Sequence, residues 1–367
     1  MIWALYGICA AAAAYQLAAL AAVLRHLFRR DPEGRSWPLV SVLKPVQGSD
    51  PHFEEAIATH ARLDYPDFEI LFGAASEHEP AMKAVRELVR QSKGIKIKIV
   101  VGREKAPNPK VAVLMELARH AKGSVWVVND GDITVSPDYL RKIVTALETP
   151  GVGLVTCLYR PVPSGWPAFW EAIGIATDFA PSTLVAPLVG ISEFGLGSTL
   201  CFRAADLERA GGFKAIRAFL ADDYQLARRL TLGLGKRAVM ARVVVDSAIR
   251  YEMWADVWRH QMRWARTLRV CRGGGYLGLP VTHAGLWAAV AFGAGEPALA
   301  AGLCLLRILS GVTAGFLLLR CRAALALPLL PLWDLWAFCV WMAGLGGSAI
   351  VWRGRRMRLG RDGRLQD

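Results

Sequence analysis

The sequence has few cysteines, and none of them forms a recognisable metal or disulfide pattern. Seven occur in 367 residues, an odd number, and no pair has the C-x-x-C spacing. Three of the seven, Cys304, Cys321 and Cys339, lie in the apolar C-terminal stretch over residues 281–352. These features argue against a zinc site and against a disulfide-stabilised secreted domain. They are compatible with a polar domain that faces a reducing cytoplasm.

Acidic residues are also scarce relative to basic ones. The chain has 31 Asp and Glu against 44 Lys and Arg, a formal net charge of +13. A basic protein can bind nucleic acid, but the sequence lacks paired metal-ligand spacings and the aromatic signature of RNA-binding domains. Its arginines instead cluster at the ends of apolar runs, as in cytoplasmic flanks of membrane segments. We therefore expect a lipid bilayer as partner and no nucleic acid.

Charge is absent from residues Ile2 to Leu24, which makes this run apolar over its whole length. At ~1.5 Å per residue it is long enough to cross a bilayer as a helix. Arg25, Arg29 and Arg30 follow the run, so the positive-inside rule places the N-terminus outside. A cleaved signal peptide is the alternative, but no positively charged segment precedes the run. We expect residues 1–30 to be a transmembrane anchor.

Residues 36–250 alternate between strand and helix patterns. The predicted elements, in order, are a strand at Leu39–Leu43, a helix at Phe53–Leu63, a strand at Glu69–Ala74, a helix at Pro80–Gln91, a strand at Ile95–Val101, a helix at Pro109–His120 and a strand beginning at Val125. This alternation predicts an α/β domain with a mostly parallel sheet.

The C-terminal part divides into three segments. Residues 251–280 predict an amphipathic helix at the membrane surface, with tryptophans on one face and arginines on another. The apolar pattern of residues 281–352 predicts membrane segments near Thr282–Phe292, Leu299–Leu319 and Leu332–Val351. The arginines of residues 353–367 predict a basic cytoplasmic tail. Arginines follow both of the last two segments, so the positive-inside rule does not fix the number of crossings.

Two aspartates follow the Val125–Val128 run, at positions 130 and 132. Four apolar residues predict a buried strand, and ligands in open α/β sheets bind at the carboxyl ends of the strands. Side chains two residues apart on an extended segment point the same way, so Asp130 and Asp132 can share one Mg²⁺ or Mn²⁺. A solvated turn is the alternative interpretation, because Asp and Gly are common turn residues.

A second acidic pair, Asp222 and Asp223, precedes a predicted helix over Gln225–Leu232. A carboxylate there either caps the helix, since the helix dipole favours negative charge at the N-terminus, or acts as a general base toward an acceptor hydroxyl. The sequence leaves both roles open.

Together these segments resemble the membrane glycosyltransferase family that contains ceramide glucosyltransferase and the hopanoid-biosynthesis glycosyltransferases. The matching stretches, in order, are Val40-Ser-Val-Leu-Lys-Pro45, Gly48-Ser-Asp-Pro51, Leu63-Asp-Tyr-Pro66, Asn108-Pro-Lys110, Asp130-Gly-Asp132, Gly153-Leu-Val-Thr-Cys-Leu-Tyr-Arg160, Phe194-Gly-Leu-Gly-Ser-Thr199, Gly211-Gly-Phe213, Leu220-Ala-Asp-Asp-Tyr224 and Arg263-Trp264. The resemblance covers about residues 36–285, and the Gly153–Arg160 stretch is most similar to the hopanoid branch.

The resemblance implies a nucleotide-sugar domain of the GT-A type (Rossmann-like) on the cytoplasmic face of a membrane, in a bacterium the inner membrane. It would transfer a hexosyl unit from UDP-glucose or UDP-N-acetylglucosamine to a lipid hydroxyl with inversion. The implied metal ligands are Asp130 and Asp132, and the implied catalytic residues are Asp223, Arg263 and Trp264. Donor contacts are implied for Lys44, Pro45, Ser76, Glu79, Lys110 and His260, and acceptor contacts for Phe194, Gly195, Gly197 and Asp222.

The sequence departs from the family pattern at two of these positions. Ser76 stands where the family has its first aspartate, and Glu77 or Glu79 could supply the missing charge. His260 stands at the first position of the family's (Q/R)xxRW element, where it either donates to a phosphate or packs without a catalytic role.

Several functions are compatible with this pattern. Glycosylation of a hopanoid polyol is favoured by the Gly153–Arg160 stretch, and ceramide or a polyprenyl phosphate is the alternative acceptor. A catalytically silent membrane scaffold is the alternative outside enzymology, and it is motivated by Ser76. The oligomeric state is open.

Overall fold

The computed structural model describes residues 2–32, 34, 36–48, 52–92, 94–352 and 355–366. Ser49, Asp50 and Pro51 of the family pattern, and Arg353 at the start of the basic tail, lie outside these ranges. The strands are β1 (Val40–Pro45), β2 (Phe68–Ala74), β3 (Lys96–Val101), β4 (Val125–Val128), β5 (Ile133–Thr134), β6 (Val152–Ser164), β7 (Leu200–Arg203), β8 (Arg237–Arg250), β9 (Ala349–Trp352), β10 (Arg355–Leu359) and β11 (Leu365–Gln366). The α-helices are α1 (Ile2–Phe28), α2 (Phe53–His60), α3 (Ala81–Gln91), α4 (Pro109–Ala118), α5 (Tyr139–Leu147), α6 (Trp166–Gly174), α7 (Ala180–Val185), α8 (Ala204–Arg209), α9 (Asp222–Leu230), α10 (Trp254–Cys271), α11 (Gly273–Thr282), α12 (Ala284–Gly293), α13 (Pro297–Val312) and α14 (Leu329–Gly344).

The chain forms two compact units. The sheet unit comprises Arg30–Tyr159 and Ile191–Ala248, and the helical unit comprises Met1–Arg29, Arg160–Gly190 and Ile249–Asp367. The alternating pattern predicts that all of residues 36–250 belong to the α/β domain. Residues 160–190 instead pack with the helical unit, because most of this stretch is an apolar helix.

An eight-stranded sheet in the order β3-β2-β1-β4-β7-β6-β8-β5 forms the centre of the sheet unit. Its first four strands are parallel, and β7 runs antiparallel to β4. The parallel part agrees with the predicted alternation of strands and helices. Beyond β4 the described pairs are antiparallel. β4 is therefore the last strand of the parallel part, and the strand direction changes between β4 and β7.

Helices cover both faces of this sheet. Alternate side chains of β1 point to opposite faces: Val42 belongs to the hydrophobic cluster that includes residues of α2, α3 and α5, and Leu43 belongs to the cluster that includes residues of α4 and α9. Both side chains are fully buried. A strand whose alternate side chains enter two hydrophobic layers is buried on both faces, which is why β4 is apolar at every position and why five of the six residues of β1 are buried.

Among the described residues of the helical unit, three helices are long and apolar enough to cross a membrane: Ile2–Phe28, Trp166–Val189 and Pro297–Leu318. The first and third agree with predicted segments, and the second was missed. The other two C-terminal segments form only the shorter helices α12 and α14. The segment predicted to continue to Val351 ends at Gly344, because Ala349–Trp352 pairs with β10 in a small antiparallel sheet.

A buried ion pair joins four helical segments of the helical unit. Arg307 on α13 and Asp334 on α14 are each 1% exposed, and Arg307 Nε lies 2.9 Å from Asp334 Oδ1. Arg307 Nη1 also donates to the carbonyl of Thr177, which lies in the π-helical turn Ile175–Phe179. Asp334 Oδ2 accepts from the backbone N–H of Gly285. Charges at such depth persist only when paired and hydrogen-bonded.

Candidate active site

Asp130 and Asp132 lie in the loop that follows β4. All four residues of β4 are buried, so the strand fixes where the loop begins. The Asp130 side chain is 41% exposed and Asp132 is half-buried. Ser247 Oγ, on β8, donates to Asp132 Oδ2 at 2.6 Å, and β8 pairs with β5, the strand that follows Asp132. Both carboxylates therefore lie in the loop at the carboxyl end of β4, and their role as metal ligands stays a prediction.

Lys110 joins the first acidic pair to the second. Its Nζ lies 2.7 Å from Asp130 Oδ1 and 3.2 Å from Asp222 Oδ2. Asn108 caps α4 by accepting from the backbone N–H groups of Lys110 and Val111, which holds Lys110 in the first turn of the helix. Burial lowers the pKa of Lys110, but the two carboxylates outweigh it and the pKa is raised. Lys110 is thus a fixed cation in the middle of the acidic cluster.

Asp223 is the third carboxylate of this cluster. It is half-buried in the first turn of α9, and its Oδ1 accepts from the backbone N–H of Tyr224 at 2.7 Å. Desolvation, the neighbouring charge of Asp222 and the charge of Asp130 raise the pKa of Asp223 to about 6, although Lys110 opposes them. A carboxylate with a raised pKa is a better general base than an ordinary surface aspartate and is still ionised at neutral pH.

Lys44 supports the Asp130 loop from the protein interior. Its side chain is fully buried, and its Nζ donates to the Asp130 carbonyl at 3.0 Å and contacts His60 Nε2 at 3.4 Å. His60 Nδ1 in turn donates to the carbonyl of Ala56. Burial lowers the pKa of Lys44 to about 7, against the charges of Asp132 and Asp130. The predicted contact of Lys44 with the donor stays a prediction, and its position gives it a supporting role.

Replacing Lys44 by methionine should weaken donor binding by about tenfold, because the Asp130 carbonyl and His60 Nε2 lose their buried partner. Calorimetric titration with UDP in the presence of Mn²⁺ measures the effect. Lys98→Met is the matched control, since Lys98 pairs with His120 on an exposed surface of the same unit. Equal UDP affinity in the Lys44→Met and Lys98→Met variants would show that Lys44 does not support donor binding.

Three further predicted donor residues lie at the end of β1 and in the segment between β2 and α3. Pro45 ends β1 and is half-buried. Ser76 Oγ accepts from the backbone N–H of His78, and Glu79 Oε2 accepts from that of Gly48 at 3.1 Å. Glu79 therefore links the two loops, and Ser76 stabilises a local turn. Their contacts with a uracil base stay predictions.

The predicted acceptor loop contacts the Asp130 loop directly. The Asp130 N–H donates to the Gly197 carbonyl at 3.2 Å, and Asn129 Nδ2 donates to that of Ser198 at 2.6 Å. A Cβ at Gly197 would lie 2.7 Å from Asp130 Oδ2, so only glycine leaves that carboxylate in place. Gly195 is buried against Leu200, whereas Phe194 is half-buried. A role for these residues in binding an acceptor stays a prediction.

The Arg263-Trp264 element lies on α10 in the helical unit. The predicted amphipathic segment 251–280 forms two helices, α10 and α11, which meet at Arg272 before a run of three glycines. The Trp264 ring contacts the rings of His260 and Phe179, at centroid distances of 4.7 Å and 5.4 Å. His260 Nδ1 lies 2.5 Å from Glu171 Oε1. His260 is thus paired with a carboxylate.

The donor set of the Asp130 loop fits a divalent ion carried by a diphosphate. Within the described ranges, no group of three or more His, Cys, Asp or Glu side chains is placed to hold a metal ion. Asp130 and Asp132 offer oxygen ligands alone, which suit Mg²⁺ or Mn²⁺ rather than zinc. Two carboxylates leave coordination positions for phosphate oxygens and water.

Four residues that contact the predicted site residues were not predicted from the sequence: His60, Asn129, Glu171 and Ser247. Glu171 carried a usable signal, because it is the single charged residue of an otherwise apolar helix. The other three have ordinary local patterns. Their contacts span more than 60 positions of sequence for Asn129 to Ser198 and more than 100 for Ser247 to Asp132, so local reasoning could not find them.

The sheet order and the acidic loop after β4 define the GT-A glycosyltransferase fold. Mannosyltransferase PcManGT from Pyrobaculum calidifontis, solved in complex with GDP-Man and Mn²⁺, aligns over 92% of this chain and 97% of its own, with a TM-score of 0.52 and 22% identity. This likeness establishes the fold. The chain belongs to glycosyl transferase family 21, whose family model matches residues 4–365.

Among curated relatives, ceramide glucosyltransferase 1 of Caenorhabditis elegans is 30% identical over 229 residues, 61% of this chain and 48% of that protein. Ceramide glucosyltransferase of Komagataella phaffii is 29% identical over 113 residues, 29% of this chain and 22% of that protein. The chain spans about half the length, or less, of these relatives. The predicted family resemblance is confirmed, and with its three long apolar helices the chain is an integral membrane protein.

Proposed function

We propose that this protein is an inverting glycosyltransferase that moves a hexosyl unit from a UDP-sugar to a hydroxyl group of a membrane lipid. The observation that carries the proposal is the meeting of Asp130, Asp222 and Asp223 around Lys110 in the sheet unit. It supports the proposal of a cation site beside a carboxylate suited to act as a base. Helix capping alone does not account for this arrangement, because Asp222 is bound to Lys110 of another helix.

In the proposed reaction, Asp223 removes the proton of the acceptor hydroxyl while the hydroxyl oxygen attacks the anomeric carbon of the sugar. A new C–O bond forms there, and the bond to the diphosphate oxygen breaks. UDP leaves with the electron pair, and the proton stays on Asp223. One displacement from the face opposite the leaving group inverts the configuration at the anomeric carbon.

Asp130 and Asp132 would hold the divalent ion, which neutralises charge on the departing diphosphate when it is bound. Lys110, already fixed beside Asp130, supplies a second positive charge near the same position. Arg263 and Trp264 are proposed to bind the diphosphate and the sugar, by their match to the family's RW element. Lys44, His60 and Ser247 hold the acidic loop in place.

The acceptor is proposed to be a lipid because the chain belongs to a family whose relatives here are named ceramide glucosyltransferases. These relatives favour ceramide and UDP-glucose. The Gly153–Arg160 stretch favours a hopanoid polyol and UDP-N-acetylglucosamine, and a polyprenyl phosphate is the third candidate. We further propose that the sheet unit faces the cytoplasm, in a bacterium at the inner membrane, from the arginines that follow α1.

Purified protein in detergent, supplied with each labelled UDP-sugar and with ceramide, a hopanoid polyol or a polyprenyl phosphate, tests this function. A glycolipid of opposite anomeric configuration to the donor is the expected product, and the lipid that carries the label identifies the acceptor. Donor binding without transfer to any of the three lipids would instead support the alternative function, a catalytically silent membrane scaffold.

Removal of the divalent ion should abolish donor binding, and Asp132→Asn should weaken it by about 100-fold, because one charged oxygen ligand is lost. UDP affinity is measured by calorimetry with Mn²⁺, with Mg²⁺ and with EDTA. Asp138→Asn is the control, since Asp138 is a half-exposed aspartate that pairs with Lys142 in the same unit. UDP affinity that is unchanged in Asp132→Asn, with Mn²⁺ present, would contradict the metal role.

A further inference from the structure

Glu171 is a buried carboxylate on an apolar helix of the helical unit. Its side chain is 0% exposed. Its Oε1 accepts from His260 Nδ1 at 2.5 Å and from Gln261 Nε2 at 2.9 Å, both on α10. Its Oε2 is buried and has no hydrogen-bond partner among the described residues. A carboxylate in this position is costly to bury, so a valine or leucine would serve α6 better if packing were its whole task.

His260, the partner of Glu171, is one of the two positions at which the sequence departs from the family pattern. Gln and Arg, the usual residues at the first position of (Q/R)xxRW, each carry several N–H donors. His260 has two ring nitrogens, and the hydrogen bond to Glu171 commits Nδ1 as a donor. Nε2 is then the ring nitrogen left for a substrate or a phosphate. Glu171 therefore determines both the orientation and the protonated nitrogen of the ring.

The orientation of His260 is transmitted to Trp264, one helical turn further along α10. The two ring centroids are 4.7 Å apart with an interplanar angle of 51°. Phe179, which lies beyond Glu171 on the continuous Trp166–Val189 helix, contacts Trp264 at 5.4 Å. One helix thus contacts the RW element at two points, through Glu171 and through Phe179.

We propose that Glu171 is a positioning residue for the RW element, in which it holds His260 and, through His260, the Trp264 ring. The catalytic consequence depends on the proposed function, whereas the pair itself does not. The histidine at position 260 then does not remove the function of the first position of the (Q/R)xxRW element. In this chain a carboxylate–imidazole pair takes the place of the family's Gln or Arg.

The kinetic test is a double-mutant cycle between positions 171 and 260. Glu171→Gln is nearly isosteric but removes the charge, and it should lower kcat by about 10- to 100-fold with little change in the donor KM, as expected for a misplaced catalytic group. In a His260→Ala background the same substitution should have no further effect. Glu252→Gln, at an exposed glutamate of the same unit, is the control. Additive losses in the double variant, or a raised donor KM with unchanged kcat, would overturn the proposal.

Two further measurements protect the test against poor folding and against failure of the proposed function. His260→Gln keeps an N–H donor toward Glu171, so it should retain at least about tenfold more activity than His260→Ala, and equal rates would contradict positioning. Nitrogen-15 NMR of imidazole-labelled protein reports the protonated nitrogen directly, with the His260→Gln spectrum assigning one of the seven histidines. We expect a protonated Nδ1 that changes in Glu171→Gln. An unchanged His260 signal would overturn the pair whether or not the protein transfers sugar.

Discussion

Replacing Asp223 by asparagine is expected to lower turnover by about 10²- to 10⁴-fold, the range for loss of a general base, while UDP affinity stays near that of the wild type. Asparagine keeps the size of the side chain and an oxygen to accept from the Tyr224 N–H, but it takes up no proton at neutral pH. Single-turnover transfer and calorimetric UDP binding separate the two effects. Asp138→Asn serves again as control.

The raised pKa of Asp223 also predicts how turnover depends on pH at the acid side. The pKa of Asp223 is raised to about 6, and only the ionised form accepts a proton. Turnover should therefore be independent of this group above pH 7 and fall about tenfold per pH unit below pH 6. The acid limb should be absent from the residual activity of Asp223→Asn. Full activity in that variant, or an unchanged acid limb, would assign the base elsewhere.

Replacing Arg307 by methionine should destabilise the helical unit by about 3–5 kcal/mol, the cost of leaving one member of a buried ion pair without its partner. Asp334 would keep only the Gly285 N–H among the contacts described above, and the Thr177 carbonyl would lose its donor. The midpoint of thermal unfolding in detergent measures the change.

The double variant Arg307→Met, Asp334→Leu removes both charges and should recover most of the lost stability, because apolar residues of similar volume often replace a buried pair at little cost. Arg250→Met is the surface control, since Arg250 and Glu252 are both more than half exposed and such pairs contribute ~1 kcal/mol or less. If Arg307→Met unfolds at the wild-type temperature, the pair does not join the helices.

The parts of the site that sequence could predict are those whose signal is local. Val125–Val128 is apolar at every position and is followed at once by the aspartates, so both the strand and its polar end are legible within eight residues. The helix N-terminus at Asp222 and the amphipathic α10 are equally local. The observed ends of helices differ from the predicted ends by a few residues; for example, α2 ends at His60 and not at the predicted Leu63.

The helix over Trp166–Val189 was missed for a physical reason. Glu171, Asp178 and three prolines interrupt its apolar pattern, so it resembles part of a soluble domain. In the folded chain Glu171 is compensated by His260 and Gln261, and Asp178 accepts from Trp333 Nε1. These partners come from α10 and α14, about 90 and 155 positions away, and their identity is invisible to a local pattern.

The parallel core of the sheet, the first long apolar helix, the acidic loop and the family could all be predicted from the sequence. These depend on periodicity and on motifs in which neighbouring residues carry the information. Tertiary structure alone decided that Lys110 binds both acidic pairs, that Lys44 lies beneath the Asp130 loop and that Glu171 pairs with His260. Each is a contact between distant segments, and the charge or pKa that results depends on burial and distance rather than on residue order.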